Sequence, residues 1–338
     1  MSDRTLAWCG AVILAAGLGA SPAGGQDRDA AWEPLRLSDG RPDLQGVWDF
    51  RTATPFQRPE GFGERLTEEQ AAAIEAGAAA AQQAADRPPT EGNVGAYNAF
   101  WLDFGTNVGA DRRASLIVDP VTGRLPELAE GVARQVGSLD VDLSGERPWR
   151  VRSAGIGADG PEDRGLAERC LVGFNSGPPM MPSAYNNNMQ LFQTSDHVVI
   201  LNEMVHDVRV IPLHAGEHLP ATVPQWSGDS RGRWEGDTLV VESQNFSDKR
   251  AAFEPNALLA LGVGSTLRLV ERFTRVGEDT LLYEYTVDDL ETFTEPFTAA
   301  VPMRQSENLI YEYACHEGNY GMINALSGAR AAELENEH

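Results

Sequence analysis

The second half of the chain alternates between apolar and polar residues with a period of two. Runs at 189–193, 198–204, 208–213, 238–243, 266–275, 280–288 and 308–315 follow this rule and are separated by turn residues. The pattern predicts antiparallel strands with one apolar face and one wet face. The first half reads differently. Strand pattern is confined to 44–50 and to 115–118, and the latter runs into the turn Asp119-Pro120-Val121-Thr122-Gly123. A helix is predicted from Leu66 to about Ala85, opened by Thr67 and Gln70 as a capping box and closed by Arg87-Pro88-Pro89. Its alanine-rich body has only Leu66 and Ile74 as large apolar residues, so it is expected to pack shallowly on the outside. The stretch 130–160 is Gly-rich and charged, with weak periodicity, and reads as a surface excursion.

One hairpin can be resolved into faces. Leu267, Leu269, Glu271 and Phe273 share one face of their strand, and Leu281, Tyr283, Tyr285 and Val287 share one face of the next. Placing these faces together around a Val276-Gly277-Glu278 turn sets Glu271 opposite Tyr283 and Glu284 diagonal to Arg268 and Arg272. Glu271 is then alone on an aromatic inner face. Either it is a functional carboxylate facing a cavity, or an arginine from elsewhere neutralises it. The two strands' inner face supplies no such partner, which tips the expectation towards the cavity.

A mainly β fold with one apolar face needs closure or a second layer. The expected architecture is an antiparallel, lipocalin-like β-barrel with an N-terminal helix and long loop insertions, with a β-sandwich as the alternative. Gly46-x-Trp48 resembles the opening strand motif of lipocalin-like barrels.

The opening residues predict export. Arg4 precedes an apolar stretch at 6–20, and Ser21-Pro22-Ala23 supplies a small-residue cleavage site. The expected organisation is a signal peptide at 1–23, a flexible lead-in at 24–41 and a single β domain at 42–338, with a helical and loop insertion at about 60–165. Cys9 lies within the signal. Export to a periplasmic or extracellular space makes Cys170 and Cys315 candidates for a disulfide, two free buried thiols being the alternative. The net charge of −23 argues against nucleic acid and anionic membranes as partners. No later segment is long and apolar enough for membrane insertion. Lys249 is the single lysine among 27 basic side chains, and it sits in a turn-like Ser247-Asp248-Lys249-Arg250 context that does not suggest Schiff-base chemistry.

Candidate chemistry concentrates in the run from His197 to Leu213, where Glu203, His206, Asp207 and Arg209 interrupt β-branched sequence. Ionisable groups in a half-buried sheet are costly unless they pair or perform chemistry. A buried salt-bridge cluster accounts for them as readily as a site does. As a site, His206 transfers a proton, Asp207 or Glu203 sets its tautomer, and Arg209 holds an oxygen anion. Consecutive residues in a regular strand face opposite sides, so His206 and Asp207 serve one site only if the chain bends between them. Tyr185 and Asn187, in the polar cluster after Gly177-Pro178-Pro179-Met180-Met181-Pro182, are candidate substrate ligands, and Tyr283 joins them from the hairpin. His316 and Tyr320, on the turn after Cys315, form a second acid/base group beside Glu317. His214-x-x-x-His218 has ligand-like spacing but lies in a Gly-containing loop, and no phosphate or dinucleotide fingerprint is present, so no metal or other cofactor is expected.

Three longer motifs carry a resemblance: EMVHDVRVIPL at 203–213, GRWEGDTLVVE at 232–242 and YACHEGNYG at 313–321. With these, residues from about 42 to 330 resemble a group of exported bacterial proteins of uncharacterised function. The resemblance implies no particular reaction. The expected activity is a cofactor-independent, exported enzyme that uses acid/base chemistry (hydrolysis, elimination/addition or isomerisation) on a small, largely apolar organic molecule. The alternative is a non-catalytic binding protein for such a molecule.

Overall fold

The computed structural model describes residues 32–88, 98–132, 135–136, 158–214, 216–247, 259–260 and 265–336. The signal-like segment, most of the excursion at 130–160 and the Lys249 turn lie outside the described residues. Twelve strands occur among those described: β1 (Gly46–Asp49), β2 (Ile117–Asp119), β3 (Gln135–Val136), β4 (Asn188–Gln193), β5 (His197–Asn202), β6 (Val208–Pro212), β7 (Asp229–Glu235), β8 (Thr238–Gln244), β9 (Leu259–Ala260), β10 (Arg268–Arg275), β11 (Thr280–Asp288) and β12 (Phe297–Ser306). Two helices, α1 (Glu68–Ala84) and α2 (Tyr320–Asn336), complete the regular elements longer than one turn. No helix among the described residues is long and apolar enough to cross a membrane.

The fold is mainly β. One antiparallel sheet runs β6-β5-β4-β1-β12-β11-β10-β8-β7, with β2 added to the edge of β12 that β1 leaves uncovered, while β3 and β9 pair separately. The sheet curls until its two ends meet. A Cβ on Gly232 of β7 would lie 2.9 Å from Leu213 Cδ2 and 3.1 Å from Ile211 Cγ2, so β6 and β7 approach closely here and a larger residue would have to displace these methyl groups. These strands exchange no ladder, and the expected closed barrel is corrected: the sheet stays open, which fits the sandwich alternative.

The strict alternation in β10 and β11 appears as alternating burial. Their faces are as the sequence predicts, but the register is shifted: Glu271 opposes Tyr285, Phe273 opposes Tyr283, and Arg272 directly opposes Glu284. The reversal occupies 276–279, since Val276 N–H donates to the Thr280 carbonyl, and this longer loop moves the partner by two residues. A two-residue shift preserves the face, which is why side-chain direction survives the error.

β7 and β12 were not predicted as strands. Arg231, Gly232 and Arg233 obscure the first, and Pro302 obscures the second, because proline is rare inside sheets. The strand expected at 308–315 is irregular chain instead. The core is aromatic: Trp48, Phe50, Phe246, Phe273, Tyr283, Tyr285, Phe293 and Phe297 are essentially fully buried. Trp48 donates to the Leu44 carbonyl and lies under the Arg275 guanidinium, 5.6 Å from ring to cation. α1 begins at its capping box and buries only Ala71, in a small cluster with Leu66 and Ala114. α2 carries no buried residue.

Candidate functional site

Curling the sheet brings Arg209 of β6 against Glu271 of β10. Two parallel bonds join them, Nη1 to Oε2 at 2.6 Å and Nη2 to Oε1 at 2.9 Å. Tyr283 Oη donates to Glu271 Oε1 at 2.7 Å and accepts from the Met180 backbone N–H at 3.1 Å. Glu271 is 0 % exposed. Burial opposes the Arg209 charge, but the Glu271 carboxylate outweighs it and holds the guanidinium pKa above its ordinary value. Burial, then the Glu271 charge, push the Tyr283 phenol well above its usual range. The expectation of a cavity carboxylate at Glu271 is thus corrected. Arg209 is the arginine from elsewhere, and neither it nor Tyr283 lines any of the four principal clefts among the described residues.

The chain between β5 and β6 makes the bend that the strand geometry required. A single 3₁₀ turn at Met204–His206 contains Val205 at φ 60° and His206 at φ 46°. A β-branched residue in the left-handed region stores strain that the surroundings must hold. Gly173 makes room for the turn, since a Cβ there would stand 2.5 Å from Met204 Cγ. The three ionisable side chains then diverge. Asp207 turns to the 170–176 segment, accepting from Gly173 N–H at 2.8 Å and from the Ser176 hydroxyl. His206 points outward and is exposed, its ring centroid 6.4 Å from that of His316. Glu203 is buried, with Oε2 accepting from Asn188 Nδ2 at 2.7 Å and Oε1 from Tyr311 N–H at 3.3 Å. The bend therefore does not assemble His206 with a carboxylate on one side.

Cys170 and Cys315 are disulfide-bonded. The bond ties the 308–319 segment to residues 167–170, and Asn319 Nδ2 reinforces it by donating to the Glu168 carbonyl at 2.8 Å. Cys170, Met204, Val205, Tyr185, Tyr313 and Cys315 pack as one apolar cluster behind it. Of the six non-glycine residues with a positive φ among the described residues, four belong to this corner: Cys170, Asn186, Val205 and His206. Such strain tends to collect at functional sites.

Against the corner opens the largest of the principal clefts, about 910 Å³. Val47 of β1, Asn188 of β4 and Ser306 of β12 contribute from the sheet, and Glu203 enters from the bend. Phe100, Trp101 and Asp103, Tyr185 and Asn186, and Tyr311, Tyr313 and Cys315 also line it. Phe100 and Tyr311 are 82 % and 74 % exposed, and Trp101 beside them is exposed too, so the cleft's lining carries a group of exposed aromatic side chains. Arg51 is flanked by Asp49, at 2.5 Å, and by Asp103. Burial raises the Asp49 carboxyl pKa against the pull of Arg51.

Of the candidates read from sequence, the cleft gathers Glu203, Tyr185 and Cys315 of the disulfide. His316 and Tyr320 lie on the surface beyond it. Asn187 is wholly buried and braces the loop: its amide donates to the Asp103 and Ser183 carbonyls, and its oxygen accepts from Ser183 N–H and Asn175 Nδ2. Asn187→Ala is expected to cost about 2–3 kcal/mol by stranding these partners, and urea unfolding measures it. His218 Nδ1 faces Asp229 Oδ2 at 3.0 Å, apart from His214. Among the described residues no group of three or more His, Cys, Asp or Glu is placed to hold a metal ion. The aromatic rim was missed. Its signals were the solvent-facing Ala99-Phe100-Trp101 and the Tyr311-Glu312-Tyr313 alternation within 308–315, which imitates a strand.

No family model matches the chain, and no curated protein matches it.

Proposed function

We propose that this is an exported protein that binds a small organic molecule in the cleft beside the Cys170–Cys315 bond, with Glu203 as its polar anchor. The observation that carries the reading is a buried carboxylate in a cleft whose rim exposes large aromatic side chains. Ligand sites combine these features: apolar walls for area and a few placed polar groups for orientation. The disulfide and the packed cluster behind it keep the walls in place without a ligand, which lowers the ordering cost of binding. The aromatic and polar lining suits a molecule with flat apolar surface and polar substituents, less apolar than the sequence suggested. A disulfide fits an oxidising compartment, and the signal-like N-terminus fits the same destination.

A catalytic version of this reading is favoured by one observation, the approach of His206 and His316 on the flank of the disulfide. In that version Glu203 and one imidazole act as acid and base on the bound molecule. Binding is the better supported of the two, because Asp207 and Glu203 are engaged by other donors.

A thermal-shift screen of small organic molecules tests the binding. At least one chemical class is expected to raise the melting temperature of the wild type. The same class should give little or no shift with Tyr311→Ala, whose side chain is largely exposed and whose loss leaves the fold intact. Shifts that are unchanged in Tyr311→Ala and in Glu203→Gln would place binding elsewhere and overturn the proposal.

A further inference from the structure

We infer that the ligand of this cleft is an organic cation, an inference that rests on reading the cleft as a binding site. It begins with the environment of Glu203. That carboxylate is 5 % exposed, and its two oxygens accept from neutral donors, the Asn188 amide and the Tyr311 backbone. No arginine or histidine among the described residues lies within ion-pair distance of it. Buried charges in folded proteins are paired, because removing a carboxylate from water is expensive without an opposite charge nearby. Glu203 has its hydrogen bonds but not its counter-charge.

The rest of the lining has the same sign. Asp103, Glu168 and Glu312 also line the cleft, and among the described residues Arg51 is the one cationic side chain that lines it. Arg51 is already held between Asp49 and Asp103, so its charge is spent within the protein. Glu168 is bonded by Arg164 at 2.7 Å. With Asp103 paired to Arg51 and Glu168 to Arg164, Glu203 and Glu312 are the lining carboxylates without a cationic partner among the described residues, and they disfavour an anionic ligand and favour a cation.

The walls select among cations. A bare metal ion would need several convergent ligands, and no group of three or more His, Cys, Asp or Glu among the described residues is placed to hold one. The lining shared with Glu203 includes instead the aromatic residues Tyr185, Tyr311, Tyr313, Phe100 and Trp101. Ring faces are negative and attract an ammonium or guanidinium group, most strongly when its alkyl substituents also bury apolar area. A molecule with a cationic head and organic body satisfies both features, the head at Glu203 and the body along the rings. At long range the net charge of −23 draws cations towards the protein at low salt.

Isothermal titration of the full-length protein with choline, and with the neutral analogue in which a tert-butyl group replaces the trimethylammonium, tests the charge at constant shape. Choline is expected to bind at least about tenfold more tightly than the analogue. Raising the salt concentration should weaken choline and leave the analogue unaffected, because only charge–charge attraction is screened. Glu203→Gln should abolish the difference. The salt arm reads the wild type alone and stands even where that variant folds poorly. Benzyltrimethylammonium against benzoate repeats the comparison for a larger body, with the cation again preferred. Equal affinity for cation and neutral analogue, a preference for benzoate, or no binding of either cation would overturn the inference. The thermal-shift screen judges the cleft as a site independently, so a neutral ligand lost in Tyr311→Ala would keep the binding function and discard the cation.

Discussion

Glu271→Gln is expected to destabilise the protein by about 3–5 kcal/mol. The change keeps the shape of the side chain but removes the charge that neutralises Arg209, whose guanidinium would stay buried beside an amide. The energy lost is chiefly that of a stranded charge, because a buried pair as a whole contributes little beyond the cost of drying it. A second variant separates these terms. Arg209→Met with Glu271→Leu removes the charged pair together and leaves Tyr283 to accept from the Met180 N–H, and it should recover most of the stability lost by Glu271→Gln. Urea unfolding of the two variants and the wild type decides it. If Glu271→Gln unfolds at the wild-type midpoint, Arg209 and Glu271 are not the buried ion pair described here.

Removing the disulfide is the second large effect. The bond closes a loop with a sequence separation of 145 residues, for which the chain-entropy model gives about 5 kcal/mol as a ceiling and about 2–5 kcal/mol is the usual range. Cys315→Ser is expected to fall within that range. It should also loosen the 308–319 segment and weaken any ligand whose affinity depends on Tyr311. Hydrogen exchange across 308–319 reads the second consequence separately. Wild-type protection in that segment after removal of the bond would show that the Asn319–Glu168 contact and the apolar cluster hold the cleft wall without it.

The fold was legible wherever a strand kept one face dry. β10 and β11 repeat large apolar residues at alternate positions, so their inner faces could be assigned before their register, which depends on a loop whose length the pattern does not fix. β12 was hidden by Pro302, and 308–315 was mistaken for a strand because Tyr311 and Tyr313 flank Glu312 for a different reason: they line a cleft. Barrel against open sheet turned on how β6 meets β7, a contact at Gly232 with no local signature. The site was half legible. The cluster at 203–209 could be found because ionisable groups do not belong in such sequence, but its residues divide among four places. Arg209 goes to the core, Asp207 to the 170–176 segment, Glu203 to the cleft and His206 to the surface. The division follows from the left-handed turn at Val205 and His206, and nothing in a β-branched residue's identity announces that conformation.

The central claim is that the cleft beside the disulfide is the ligand site and Glu203 its anchor. The most direct measurement is a crystal structure of the protein with the molecule that gives the largest thermal shift. The account predicts that molecule between Tyr185 and Tyr311, with a polar or charged group within hydrogen-bond distance of a Glu203 oxygen. A molecule seated elsewhere, whether within the curled sheet near Tyr285 or in the cleft at Arg58 and Arg124, with Glu203 untouched, would contradict it.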